Sequence, residues 1–552
     1  MLPIVLVSLL LGGTHDETYQ EWTPAPAGAT ELPERREPRE GRGRRSDLMP
    51  LINSKPVLPF TDVTTSARSN DGGIWVGSHR GLMFLAPGAN RWRVFHSRRW
   101  LPSDDIKGIS VTDSGDVLVS TAAGLTRLTR RSTTLEQKMA EVGDMLSKHH
   151  VREGLVGGIQ LREPGNLAAG HKQYDDDNDG LWTSMYIAAE AFHYGTTGEA
   201  TAKQNARRSL DALMFLERVT GIPGFAARTI VPGSDPKPTH GEWHRSADDR
   251  WWWKGDTSSD ELVGHYFAYS IYYSIAADEA EKAEIRPYVE RITDHIIDHG
   301  WYYVGPPGVP TTWGVWAPEK LNHDIRRIGD RGLNSLEILS FLKVASQISD
   351  KPRYAEKAKE LIEKHAYATN TVYQKNTWPA EMENHSDDEL AFLSYYPLVI
   401  RERDEGLRRL YISSIQRTWM VERPEHSPLF NFIYAAGIQA NRWHDPTKRP
   451  SEAMIEPVQY DRDDCVEWFR DVPADTVHWT INNSGRNDLG ALMSNRFNRL
   501  AGSTMLPPSE RPFMKWNGDP YQLEGGSGGS YRDDGTVILL PYWMGRYHRF
   551  ID

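Results

Sequence analysis

The chain has 552 residues, enough for more than one domain, and its 39% hydrophobic and 25% charged residues supply a large core and exclude an unstructured chain. Its formal net charge of −11 gives no sign of the concentrated basic face that nucleic-acid binding needs, and the small basic cluster from Arg42 to Arg45 reads as part of a solvated tail, so no nucleic-acid partner is expected. A single cysteine, Cys465, excludes an intrachain disulfide, and it leaves the compartment open because a core of this size needs no staple.

In chain order, residues 1–13 read as a signal peptide. The run Leu2 to Leu11 is apolar, too short to span a bilayer, and is followed by small residues, although no Lys or Arg precedes it. The expected location is therefore secreted or periplasmic, with no integral membrane segment in the mature chain. Residues 14–58, rich in Pro, Glu, Arg and Gly, read as a disordered linker.

Residues 59–129 contain two similar segments, Asp71 to Leu85 and Ser114 to Leu128, with Gly81 and Gly124 equivalent at a spacing of 43. Each is a turn, a short β-branched strand, a Gly turn and a second strand, the grammar of a propeller blade. The first copy carries Trp75-Val76-Gly77 and Gly81-Leu82, the second only Gly124-Leu125. On these residues the segments resemble two-component-regulator-type propeller repeats. Two blades cannot close a propeller, so a remnant, a docking module or part of a larger assembly is expected.

From about Thr133 the apolar period becomes helical. Leu135 to Lys148, Glu199 to Thr220, Glu279 to His299 and Tyr354 to Ala366 read as amphipathic helices. Five other segments open on polar or acidic residues and continue as aromatic-rich apolar helices, with starts expected near Asp179, Asp260, Asn334, Asp388 and Phe430. Helices apolar all round belong inside and those with a charged face outside. The alternation predicts a mainly α fold, an (α/α)6-type toroid over residues 133–552 preceded by a small β segment. The long loops 223–256 and 301–331 favour a toroid over a superhelical solenoid, because loops of that length usually build a site.

In a toroid the inner helices run parallel and their polar openings gather on one face. Capping explains one acid per helix. It does not explain Asp260 with Glu261, or Asp387 and Asp388 followed by Glu389. Paired carboxylates are what glycosidic cleavage needs, one to protonate the leaving oxygen and one to attack or to activate water. The catalytic candidates are Asp179, Asp260, Glu261, Asp387, Asp388 and His385. Candidates for contact with a sugar are Trp182, Trp243, His244, Trp252, His265, Trp313, Arg331, Asn384 and Asn431. Three consecutive tryptophans, Trp251 to Trp253, cannot all point into one core, and exposed rings stack on sugars. No cofactor is expected. Asp175, Asp177 and Asp179 start like a Ca2+ loop, but its twelfth position is Tyr186 instead of Glu. His240 and His244 have zinc spacing, but Gly241 and the loop setting argue against zinc.

The alternation of aromatic inner helices with acids at their starts resembles the six-hairpin superfamily of carbohydrate-active enzymes. The resemblance implies a carbohydrate substrate and three readings that stay open here: a glycoside hydrolase using paired carboxylates, a uronate-specific polysaccharide lyase, or a non-catalytic glycan-binding or scaffold protein. For the lyase, Asn384, His385, Arg331, His265 and Tyr266 would neutralise the uronate and take its α-proton. A terpene-cyclase-like reading of the Asp-rich helix starts is opposed by the export signal and the polar, Trp-rich loops.

Overall fold

A computed structural model describes residues 17–26, 56–175, 177–374, 382–443, 460–512 and 517–551. The signal-peptide residues, most of the proposed linker, and Trp378 and Trp516 lie outside the described residues.

Two four-stranded antiparallel sheets come first. One runs β2 (Val63–Arg68), β3 (Ile74–Ser78), β4 (Gly81–Leu85) and β5 (Arg93–Phe95) in chain order. The other has β6 (Ile106–Val111), β7 (Val117–Thr121) and β8 (Gly124–Thr133), with β1 (Tyr19–Pro26) added beside β8 from Tyr19↔Thr133 to Pro26↔Thr126. This corrects the linker reading: residues 19–26 are a strand. Pro24 and Pro26 are tolerated because β1 lies at the sheet edge, where a missing N–H breaks no second ladder. Gly81 and Gly124 take φ of 141° and 140° at the equivalent tight turns, a backbone region that side chains avoid.

The helices alternate as the apolar patterning requires. Half-exposed helices are α1 (Leu135–His149), α3 (Ala200–Arg218), α5 (Glu279–Asp298), α7 (Arg353–His365), α9 (Glu405–Glu422) and α11 (Arg462–Asp471). Between them come α2 (Asp179–Thr197), α4 (Ser259–Ile275), α6 (Arg331–Ile348), α8 (His385–Arg401), α10 (Pro428–Trp443) and α12 (Thr536–Tyr547). The first two turns or more of α2 are buried all round, and so are those of α4 and α6 apart from Asp260 and Arg331. Inner helices pack in sequence, α2 on α4, α4 on α6, α6 on α8, α8 on α10, α10 on α12, and α12 returns to α2. One continuous apolar core runs through all of them, from Leu135 to Ile551. The five expected inner starts fall within three residues of the observed ones. The sixth inner helix, α12, was not expected. No helix among the described residues is long and apolar enough to cross a membrane.

The sheets are tied to the segment that follows α11. Glu510, fully buried, accepts from the backbone N–H of Val94 (3.1 Å), from Arg91 (3.1 Å) and from the equally buried Arg486 (2.6 Å). Arg99 donates to Asp475 at 2.8 Å, and the buried Lys138 of α1 pairs with Glu21 of β1 at 3.2 Å.

Candidate functional site

Three of the six outer helices are capped by a side chain, α3, α7 and α11 being the exceptions. Thr134 and Asp278 form capping boxes at α1 and α5, and Asp404 accepts from Leu407 N–H at α9. Inner helices are not. The N-cap residues Asn178, Ser258, Asp330, Asn384 and Gly535 make no side-chain cap bond. The acids at the openings of α4, α6 and α8 act on one another. Asp387 feels Asp388, Asp260 and Asp330; Glu337, one turn into α6, feels Asp260, Asp387 and Asp330. Five carboxylates at three inner helices thus share one end of the ring.

Burial, and then these neighbouring charges, push Asp387 up to about 7. Burial also raises Asp260, against a hydrogen bond from Ser258. Asn384 Nδ2 donates to Asp387 Oδ1 at 2.6 Å. Glu337 is fully buried; burial holds it well above the carboxylate range although Trp316 Nε1 donates to its Oε2 at 2.9 Å. His385, the first residue of α8, lies between acids: Nδ1 is 3.5 Å from Asp388 Oδ2 and 3.6 Å from Glu425 Oε1, and Nε2 is 3.5 Å from Asp519 Oδ1. Burial lowers its affinity for a proton, but Asp388 and Glu425 outweigh that and bring it to about 10.

Aromatic side chains stand exposed around this end. Trp313 is 53% exposed, on a strand whose Thr312 bonds Asp256 just before α4 and Arg327 beside Asp330. Tyr373, 63% exposed, has its backbone over Gly332 at the start of α6, where a Cβ would meet its carbonyl at 2.5 Å. Phe497, 59% exposed, follows Arg496, whose charge acts on Asp387.

Several sequence candidates lie elsewhere. Asp179 is fully enclosed and accepts from Thr229 Oγ1 (2.5 Å) and Arg152 (3.2 Å), which pins α2 to the loop after α3. Glu261 and His265, on one face of α4, are also fully enclosed; Nε2 and Oε2 stand 3.9 Å apart. The Glu261 carboxylate fits only because residue 180 is glycine: a Cβ there would lie 2.0 Å from Oε2. Burial pushes Glu261 well up and His265 down to about 3, which favours the neutral form of each. Trp182, Trp243 and Asn431 are buried too, Asn431 accepting from Trp419 Nε1 at 2.9 Å. These six residues cannot reach a substrate and are corrected to core roles.

Alternation along the strand Trp251–Lys254 explains the tryptophan run. Trp253 turns inward and stacks on His244 at 4.4 Å, while Trp252 turns out under Arg245 at 4.5 Å and donates to Asp235 O. His244 Nε2 contacts Glu242 at 2.5 Å. Arg331 donates to the carbonyls of Leu321 and Asn322. At the calcium-like run, Lys254 Nζ sits 3.0 Å from Asp175 and 2.8 Å from Asp177, and Arg228 is 2.9 Å from Asp177, so protein cations supply the charge an ion would bring. Asp330, Glu425, Arg496 and Asp519 were missed. Asp519 and Arg496 come from the irregular C-terminal segment, and no local pattern marks them.

No family model matches the chain, and no curated protein matches it. Among solved structures it is similar to a family 76 glycoside hydrolase from a bovine Bacteroides thetaiotaomicron strain, at 9% identity and TM-score 0.39, covering 88% of this chain and 98% of that one. It is also similar to a family 76 glycoside hydrolase (mannosidase) from Bacteroides thetaiotaomicron VPI-5482, at 9% identity and TM-score 0.39, covering 75% of this chain and 99% of that one. Likeness at that level carries neither fold nor activity across.

Proposed function

We propose that the chain is an exported glycoside hydrolase, that its ring of helices is an (α/α)6 toroid, and that Asp260 and Asp387 are its paired carboxylates. The observation that carries this reading is the set of acids at the openings of α4, α6 and α8, which crowd one end of the ring. Crowded carboxylates oppose folding, so their presence argues for a task. Glycoside hydrolysis gives them one: an acid protonates the departing oxygen while the other attacks the anomeric carbon or takes a proton from water. Trp313, Tyr373 and Phe497 supply apolar faces around the acids on which sugar rings stack.

The lyase reading has less support. Arg331 is spent on backbone carbonyls, His265 is enclosed, and Tyr266 is buried with its hydroxyl against Thr293 at 2.7 Å. His385 stands among three carboxylates, which favour its protonated form and weaken it as a base.

The test is the full chain incubated with a panel of neutral, amino and uronic polysaccharides. Each digest is read for new reducing ends and for near-ultraviolet absorbance. Reducing ends without absorbance are expected. Absorbance would establish elimination instead, and binding without any cleavage would establish a glycan-binding protein.

A further inference from the structure

Among the described residues one group of His, Asp and Glu side chains offers donor atoms all within 4.8 Å of one another: His385, Asp388 and Glu425. They join two elements, the start of α8 and the turn Arg423–Glu425 before α10. Asp388 is 1% exposed and Glu425 8%.

The spacing is informative. N–H···O hydrogen bonds run at about 2.7–3.2 Å. His385 Nδ1 stands at 3.5 and 3.6 Å from its two carboxylate oxygens, and this buried nitrogen makes no hydrogen bond. Ligands about 2.0–2.2 Å from one ion at near-tetrahedral angles are separated by about 3.3–3.6 Å. The gaps are too long for direct bonds and right for a shared ion.

The other side of the ring gives a second, independent sign. Asp519 Oδ1 faces Nε2 at 3.5 Å, and Asp519 is itself held by Tyr521 N–H (2.8 Å) and by Asn495 Nδ2 (2.8 Å). That gap too is longer than a hydrogen bond, so Asp519 acts through its charge: an anchored carboxylate facing the distal nitrogen favours a proton there and leaves the near nitrogen to ligate. The helix N-terminus opposes a cation with about half a positive charge, against three carboxylates in the cluster.

We propose that His385 Nδ1, Asp388 and Glu425 bind a divalent transition ion of the Zn2+ type, with Asp519 as the positioning residue behind the imidazole. One imidazole with carboxylates and no thiolate suits zinc, with Ca2+ disfavoured by the nitrogen donor. The ion would cross-link α8 to the α10 turn and hold the opening that carries Asp387. A proton on the imidazole is the competing occupant.

The test uses untagged full-length protein, treated with chelator and dialysed. Zinc is then titrated in by calorimetry, and melting temperature is followed with and without it. One saturable equivalent is expected, with a rise in melting temperature. His385→Ala and Glu425→Gln should each abolish the binding, while Asp519→Asn should weaken it by about 10–100-fold. Wild-type protein that takes up no zinc overturns the proposal. So does binding that persists unchanged in both His385→Ala and Glu425→Gln. Glu425→Gln preserves shape and keeps the test open should His385→Ala misfold. No substrate is involved, so failure here leaves the glycosidase reading standing.

Discussion

The acids of the inner helices divide by what surrounds each carboxylate. Asp179, with an arginine and a hydroxyl on it, fastens two chain segments; Glu261, enclosed against Gly180 and Leu181, fills space with its neutral form favoured. Burial raises the folded pKa of Glu261 above its unfolded value near 4.5. Its contribution to stability is therefore full below that value and is lost as pH rises through the folded pKa. Glu261→Gln keeps the shape and removes the charge. Its melting temperature should fall less than that of the wild type as pH rises above about 4.5. Parallel curves would mean that Glu261 is ionised in the fold. From sequence alone Asp179, Asp260 and Glu261 look alike, because burial depends on partners such as Thr229 and Gly180 that no helix pattern reveals.

At the scale of elements, the sequence showed which helices lie inside, since apolarity all round is a local property. It did not show α12, a twelve-residue helix containing Pro541, although the Asp533-Asp534-Gly535 run before it repeats the polar opening of the others. Strand β1 was hidden by its two prolines, which suit an edge and so resemble a linker. The capped start of α1 and the start of α4, whose N-cap Ser258 makes no cap bond, also make a contrast that can be measured. Thr134→Ala breaks the capping box of α1 and should cost about 1 kcal/mol. Asp260→Asn leaves no cap broken at α4, so its melting temperature should match the wild type or exceed it. An Asp260→Asn variant as destabilised as Thr134→Ala would make Asp260 a structural acid.

Across the whole molecule, the sheets are integrated with the helical ring through the C-terminal segment rather than appended to it. Glu510 is the centre of that junction, with Val94 and Arg91 on one side and Arg486 on the other. Glu510→Gln leaves Arg486 buried with Asp488 alone, at 2.7 Å, and should cost about 3 kcal/mol, the lower end for breaking a buried ion pair. Chemical denaturation reads this directly, and an unchanged midpoint would mean that the sheets add nothing to the stability of the ring. The same C-terminal segment brings Asp519 and Arg496 to the acid end, over a sequence distance that no motif spans.

The measurement that tests the account most directly is turnover on whichever polysaccharide the panel identifies, for Asp260→Asn, Asp387→Asn and Asp179→Asn side by side, with melting temperature taken for each. Asp260→Asn and Asp387→Asn should lose about a thousandfold or more in rate with the fold intact, as removal of a proton donor or nucleophile does. Asp179→Asn should lose stability and keep most of its rate per folded molecule. Near-normal turnover in both Asp260→Asn and Asp387→Asn would contradict a carboxylate mechanism at this end of the ring.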